Sequence, residues 1–99
     1  MNKQKIANLL GLAQRAGKII SGEEKVVKAI QDQKVRLVFL AHDAAPNLTK
    51  KIQDKSHYYQ VEVITVFSTL ELSIAVGKSR KVLAVTDAGF TKKMRSLME

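Results

Sequence analysis

The residues best suited to chemistry in this 99-residue chain are few. His42 and Asp43 stand side by side after the apolar run Val35 to Ala41, and the exits of buried strands are where α/β sheets place ligands. A histidine–carboxylate pair does acid–base work only with a nucleophile or a third partner to act on. None stands beside it, so the plainer expectation is a polar loop in which Asp43 makes a turn before Pro46. His57 falls in the polar stretch Ser56-His57-Tyr58-Tyr59 and is expected at the surface. With 2 histidines and no cysteine, the chain has no ligand set for a metal, no thiol nucleophile and no disulfide framework. The glycines at 11, 17, 22, 77 and 89 build neither a phosphate-cradling loop nor a dinucleotide fingerprint. The expectation is a protein that is not an enzyme and needs no cofactor or metal.

Cations are better organised. Lys and Arg total 17 against 9 Asp and Glu, a formal net charge of +8. Lys18, Lys25 and Lys28 are expected around the start of one helix, with Glu24, Lys25 and Lys28 on the face opposite Val26, Val27 and Ile30. Lys78, Arg80 and Lys81 fall in one turn. Lys92, Lys93 and Arg95 lie on the last helix and read as a solvated face. A helix N-terminus offers free N–H donors to an anion, Gly22 permits close approach of a phosphate backbone, and the flanking lysines add counterion release. Phe39 and Phe67 lie inside apolar runs and Phe90 is expected to pack under the last helix, which leaves only Tyr58 and Tyr59 for base stacking and favours structured RNA over single strands.

The elements that must position these residues alternate along the chain. Ile6, Leu9, Leu10, Ala13 and Ala16 recur at helical spacing, and Gly17 is placed to end that helix. Ile19-Ile20 is a short apolar step. Ser21 with Glu24 fits a capping box for the second helix, and Ser68 with Glu71 fits another for the fourth. Val35 to Ala41 reads as a strand covered on both faces, Val61 to Phe67 as a β-branched strand, and Val82 to Thr86 as the last strand. Pro46 suits a first helical turn, and Asp87 suits the cap of a closing helix through Leu97. The order α, short β, α, β, α, β, α, β, α predicts an α/β fold. It is a three-layer α-β-α sandwich with a small mixed, four-stranded sheet, in a single domain spanning residues 1–99. No apolar stretch approaches the roughly 20 residues that cross a bilayer, and the basic start lacks the apolar core of a signal peptide. A cytoplasmic protein with no membrane contact, and no requirement beyond a monomer, is expected.

Gly17-Lys18-Ile19-Ile20-Ser21-Gly22-Glu23-Glu24, continuing to Val27-Lys28-Ala29-Ile30, resembles a segment of the kink-turn-binding ribosomal protein superfamily. This superfamily includes the archaeal seven-Ae and eukaryotic thirty-e large-subunit proteins. Leu37 to Ala41 with Asp43-Ala44 and Pro46, and Leu72 through Gly77, resemble its next segments. Leu9-Leu10-Gly11-Leu12-Ala13, Asp54-Lys55, Tyr58-Tyr59-Gln60-Val61 and Val85-Thr86-Asp87-Ala88-Gly89-Phe90 are closer still to the bacterial YlxQ-like branch. The resemblance implies a ribosome- or translation-associated partner of kink-turn RNA, a bent helix–bulge–helix with tandem sheared G·A pairs. Carried over position by position, it implies that Lys18, Gly22 and Lys28 bind RNA, with Lys78, Ser79 and Arg80 in the loop that covers the bulge.

The chain departs from the family pattern in three places. Glu24 and Lys25 stand where the family has Asn-Glu, so either Glu24 accepts a guanine amino proton or Lys25 supplies the donor. The loop that is apolar in the archaeal proteins reads Lys78-Ser79-Arg80. Ser73 replaces a glycine, which is expected to loosen the start of that helix. The alternative reading is a protein–protein adaptor of the translation machinery that uses its basic surface.

Overall fold

The computed structural model describes all 99 residues. Nine elements follow the expected order: α1 (Lys3–Arg15), β1 (Ile19–Ser21), α2 (Glu23–Gln31), β2 (Leu37–Leu40), α3 (Pro46–Tyr58), β3 (Glu62–Ile64), α4 (Thr69–Val76), β4 (Val82–Val85) and α5 (Ala88–Met98). The four strands form one mixed sheet in the order β1-β4-β2-β3. Here β4 is antiparallel to both β1 and β2, and β2 is parallel to β3.

Strand alternation divides the apolar residues between two cores. Leu37, Phe39, Leu83 and Val85 face α1, α4 and α5, where Ile6, Leu10, Leu72, Val76 and Met94 close over them. Val38, Leu40, Val82 and Ala84 face α2 and α3, where Val26, Ile30 and Ile52 are buried. The central strands β2 and β4 are buried at every residue, so their sequences read as unbroken apolar runs rather than as alternation. Phe39 and Phe67 meet at 5.9 Å between ring centroids inside the first core, as expected of aromatics in apolar runs.

The helix ends follow local chemistry. Gly17 takes φ +73° just past Ala16, the C-cap of α1, a conformation that suits glycine. Pro46 opens α3, and the Asp87 carboxylate accepts the Phe90 N–H (2.8 Å) at the start of α5. Ser68 and Glu71 form the reciprocal capping box at α4. The capping box expected at Ser21 does not form. Ser21 is instead the last residue of β1, paired with Leu83, and α2 begins from Gly22 with no side-chain cap. Gly22 has φ +96° and ψ 150°, which lets the chain turn from strand into helix in one residue and leaves Glu24 a position short of the box geometry. Strand β3 is also shorter than the expected Val61 to Phe67. As an edge strand it pairs only with β2, over Leu37↔Glu62 to Phe39↔Ile64; past Ile64 the regular ladder stops, and the two segments meet again only where the His42 N–H reaches the Phe67 carbonyl (3.0 Å). No helix is long and apolar enough to cross a membrane.

Candidate nucleic-acid interface

Strand directions decide what lies at each end of the sheet. Ser21 pairs with Leu83 and Leu40 with Val82, and β3 runs parallel to β2. The ends of β1, β2 and β3 and the start of β4 therefore share one end, and so do the N-termini of α2, α3 and α4. Backbone hydrogen bonds stitch this end together: Gly22 N–H to the Val82 carbonyl (3.2 Å), Ala41 N–H to Lys81 (2.8 Å) and His42 N–H to Phe67 (3.0 Å).

The three helix N-termini differ in what occupies them. At α4, the Ser68 hydroxyl accepts the Glu71 N–H (3.1 Å), and the Glu71 carboxylate accepts the Ser68 N–H (2.9 Å) and the Lys3 ammonium (3.0 Å). The Asp43 carboxylate accepts both the N–H (2.9 Å) and the hydroxyl (2.7 Å) of Thr69. The Thr69 hydroxyl and then its N–H hold the Asp43 carboxyl below the usual aspartate range; the Ser68 N–H and Lys3 do the same for Glu71. Asp43 is thus a helix-terminus ligand rather than half of a catalytic pair with His42. By contrast, α2 and α3 start from Gly22 and Ala45 with no side-chain cap, so no cap claims the first-turn N–H groups of α2 or those that follow Pro46 in α3.

Between these two open ends lies a groove of about 470 Å³, walled by Gly22 and Glu23 at α2, Ala45, Asn47 and Leu48 at α3, and Ser79, Arg80, Lys81 and Val82 from the loop into β4. Arg80 spans its rim, with Nε donating to the Ser21 hydroxyl (2.8 Å) and Nη1 to the Ser79 carbonyl (2.6 Å). The groove thus gathers open backbone donors, a guanidinium and a glycine that allows close approach, which is chemistry for an anionic backbone rather than for bond-making.

The structure brings Gly22, Ser79 and Arg80 together on this groove. Lys78 is exposed on the same loop, and Glu24 and Lys25 are exposed on the first turn of α2. Lys28, one turn further, lies on the exposed face with its ammonium 3.4 Å from Asp32. Lys18 does not sit at the start of α2. It lies at the opposite end of β1, where its carbonyl accepts the Thr86 N–H (3.0 Å), about 13 Å of extended chain from Gly22. Ser73 does not loosen α4: its hydroxyl donates to the Thr69 carbonyl (2.6 Å) and accepts the Arg80 N–H (3.0 Å). Arg95, in the third cationic group, is engaged by Glu62 (3.0 Å) and the Arg36 carbonyl (3.2 Å). Sequence reasoning missed the α3 wall, Ala45 to Leu48, and the Lys51–Glu23 ion pair (3.0 Å) beside it. Pro46 marked that helix start, but only the strand order shows that it faces Gly22. Tyr58 is 77% exposed, packed edge-on against Tyr59 with 4.8 Å between ring centroids.

A mixed β1-β4-β2-β3 sheet between two helical layers, with a groove at the sheet end where α2, α3 and the loop into β4 meet, defines an open-sheet α/β sandwich. The chain belongs to the Ribosomal protein L7Ae/L30e/S12e/Gadd45 family, whose family model matches residues 4–95. It is 48% identical over 98 residues to "RNA-binding protein YlxQ" of Enterococcus faecium, covering 99% of this chain and 95% of the relative. It is 47% identical over 92 residues to the protein of the same name from Bacillus subtilis (strain 168), covering 92% of each. A solved structure from Bacillus halodurans C, described as a protein with unknown function, superposes with a TM-score of 0.89 at 45% identity, covering 95% of this chain and 96% of that one. The "15.5kD RNA binding protein" of Giardia lamblia shares the fold, with a TM-score of 0.83 at 18% identity, covering 96% of this chain and 82% of the other.

Proposed function

We propose that this chain is a non-catalytic, cytoplasmic RNA-binding protein acting as a single domain and a monomer, and that it recognises kink-turn-like structured RNA in the ribosome or another translation-associated RNA. The observation that carries this reading is the groove where the uncapped N-termini of α2 and α3 meet Arg80 and Ser79 across Gly22. Its relatives of nearly half identical sequence bear the name of RNA-binding proteins.

In this reading Gly22 lets the RNA backbone approach the first turn of α2. Glu24 and Lys25 meet the edges of the sheared G·A pairs, and Lys28 reaches a guanine one turn on. Lys78, Ser79 and Arg80 lie along the bulge. Lys18, at the far end of β1, serves as a phosphate contact on a flanking stem.

The test is a titration of a structured RNA with groove variants and a distant control. Arg80→Ala and Lys28→Ala are expected to weaken binding, Lys28→Ala by about 1–3 kcal/mol as for a base-reading residue. Lys93→Ala, on α5, is expected to leave it nearly unchanged. Equal losses at all three positions would mean diffuse basic adhesion and would refute the groove.

One observation favours the adaptor as a second reading. Leu70 and Ile74, one turn apart on α4, are 69% and 73% exposed, and Leu12 on α1 is 47% exposed beside Ile74. Such side chains suit a protein surface rather than RNA. A bound translation protein retained by Arg80→Ala but released by Ile74→Asp would support that reading.

A further inference from the structure

The loop Gly77–Lys81 joins α4 to β4 and forms one wall of the groove. It is short and basic, and Lys78 and Ser79 are exposed at its tip. Its side-chain ties to the rest of the protein run through one residue. The Arg80 N–H donates to the Ser73 hydroxyl (3.0 Å), and that hydroxyl donates to the Thr69 carbonyl one turn back along α4 (2.6 Å). The Arg80 guanidinium reaches the other way, its Nε donating to the Ser21 hydroxyl at the end of β1 (2.8 Å). Ser73 and Ser21 thus clamp Arg80 from both sides, linking α4, the loop and the edge strand. Both serines are part-buried, so these bonds are partly shielded from competing water. An alanine or glycine at 73 would leave the Arg80 N–H without this acceptor.

We infer that Ser73 is a positioning residue: its hydroxyl, with Ser21 opposite, holds the Gly77–Lys81 loop and the Arg80 side chain in the arrangement that meets RNA. This rests on the reading of the groove as the RNA site. The physical gain is pre-organisation. A loop already held makes no new contact on binding, but it avoids the ordering entropy that a free loop loses when RNA arrives. Ser73 therefore acts on affinity without contributing charge. Arg80 contributes both its charge and its shape.

The test uses the full chain with Ser73→Ala and Ser73→Thr. Alanine favours helix, so α4 is retained. Threonine keeps a hydroxyl that reaches the carbonyl one turn back. In the free protein, Ser73→Ala is expected to speed amide exchange at Arg80, while Ser73→Thr restores protection. With a kink-turn RNA, Ser73→Ala is expected to raise Kd about three- to tenfold, as for one lost net hydrogen bond. The slope of log affinity against log salt should stay unchanged, and threonine should restore the affinity. Arg80→Ala, by contrast, is expected to lower that slope by about one. Unchanged exchange at Arg80, or a Kd equal to wild type, would overturn the positioning role. So would an affinity loss that tracks a fall in melting temperature and is not restored by threonine. Failure of the wild-type protein to bind any structured RNA would instead refute the function assigned to the groove, and the exchange data would then show the clamp to be purely structural.

Discussion

At Gly22 the backbone occupies φ +96°, ψ 150°, a region that side-chain-bearing residues avoid, although a Cβ there would meet nothing within 4 Å. The requirement is therefore conformational and not steric. Gly22→Ala is expected to lower stability by about 1–3 kcal/mol, read from the urea midpoint of unfolding. It should weaken RNA binding as well, since the first turn of α2 would have to shift. Asp43 and Glu71 make a different prediction. The Thr69 hydroxyl and N–H hold the Asp43 carboxyl below its ordinary value, and the Ser68 N–H and Lys3 hold that of Glu71 below its own. A carboxyl more acidic in the folded than in the unfolded chain stabilises the fold at pH values above its unfolded pKa, and the contribution is lost as pH falls through the folded value. The melting temperature should hold steady above about pH 5 and fall below about pH 4. In Asp43→Asn and Glu71→Gln that acid limb should be shallower. A limb of unchanged steepness in the double variant would show that other groups govern it. At this scale the positions of Gly22 before a helix and of Arg80 in a basic turn were legible, because a glycine and a cluster of cations carry their chemistry in their type; Ser79 was named only through the family resemblance. Ser73 was not legible: a serine within a helix says nothing about a loop partner seven residues on.

Two copies of one sequence pattern show where local reading succeeds among the elements and where it fails. Ser68-Thr69-Leu70-Glu71 forms the capping box that its spacing predicts, whereas Ser21-Gly22-Glu23-Glu24 has the same Ser-x-x-Glu spacing and forms none. The difference is tertiary: Ser21 is held in the β1–β4 ladder opposite Leu83 and its hydroxyl accepts the Arg80 Nε–H, so the helix starts one residue later. The same logic separates the strands. β2 and β4 were legible because they are buried on both faces, but the expected Val61 to Phe67 strand shrank to Glu62–Ile64, the three residues that pair with its one neighbour β2. The α4 box carries a testable energy. Ser68→Ala is expected to cost about 1 kcal/mol and to raise hydrogen exchange first within Thr69–Val76, a helix of 8 residues too short to persist without its cap and packing. Ser21→Ala should leave exchange in α2 unchanged, since no cap is lost there. Faster exchange in α2 would contradict the assignment of Gly22 as its unassisted start.

Over the whole molecule, the net charge of +8 supplies attraction to any polyanion, and specificity has to come from where the charge and the open donors are placed. Strand order does that placing, bringing residues 22, 45–48 and 79–82 to one end of the sheet. None of the wall contributed by Ala45, Asn47 and Leu48 could be read from the sequence, because no local pattern shows which helix ends share a sheet end. The fold order itself was legible almost in full, because two cores on a single sheet impose apolar patterns on every element. The most direct measurement compares, at one fixed salt concentration, the affinity for a kink-turn RNA with that for the same RNA carrying Watson–Crick pairs in place of its tandem G·A pairs. The groove predicts tighter binding to the kink-turn by at least about tenfold, or about 1.4 kcal/mol. Equal affinities would contradict kink-turn recognition and leave only the attraction of a basic protein for RNA.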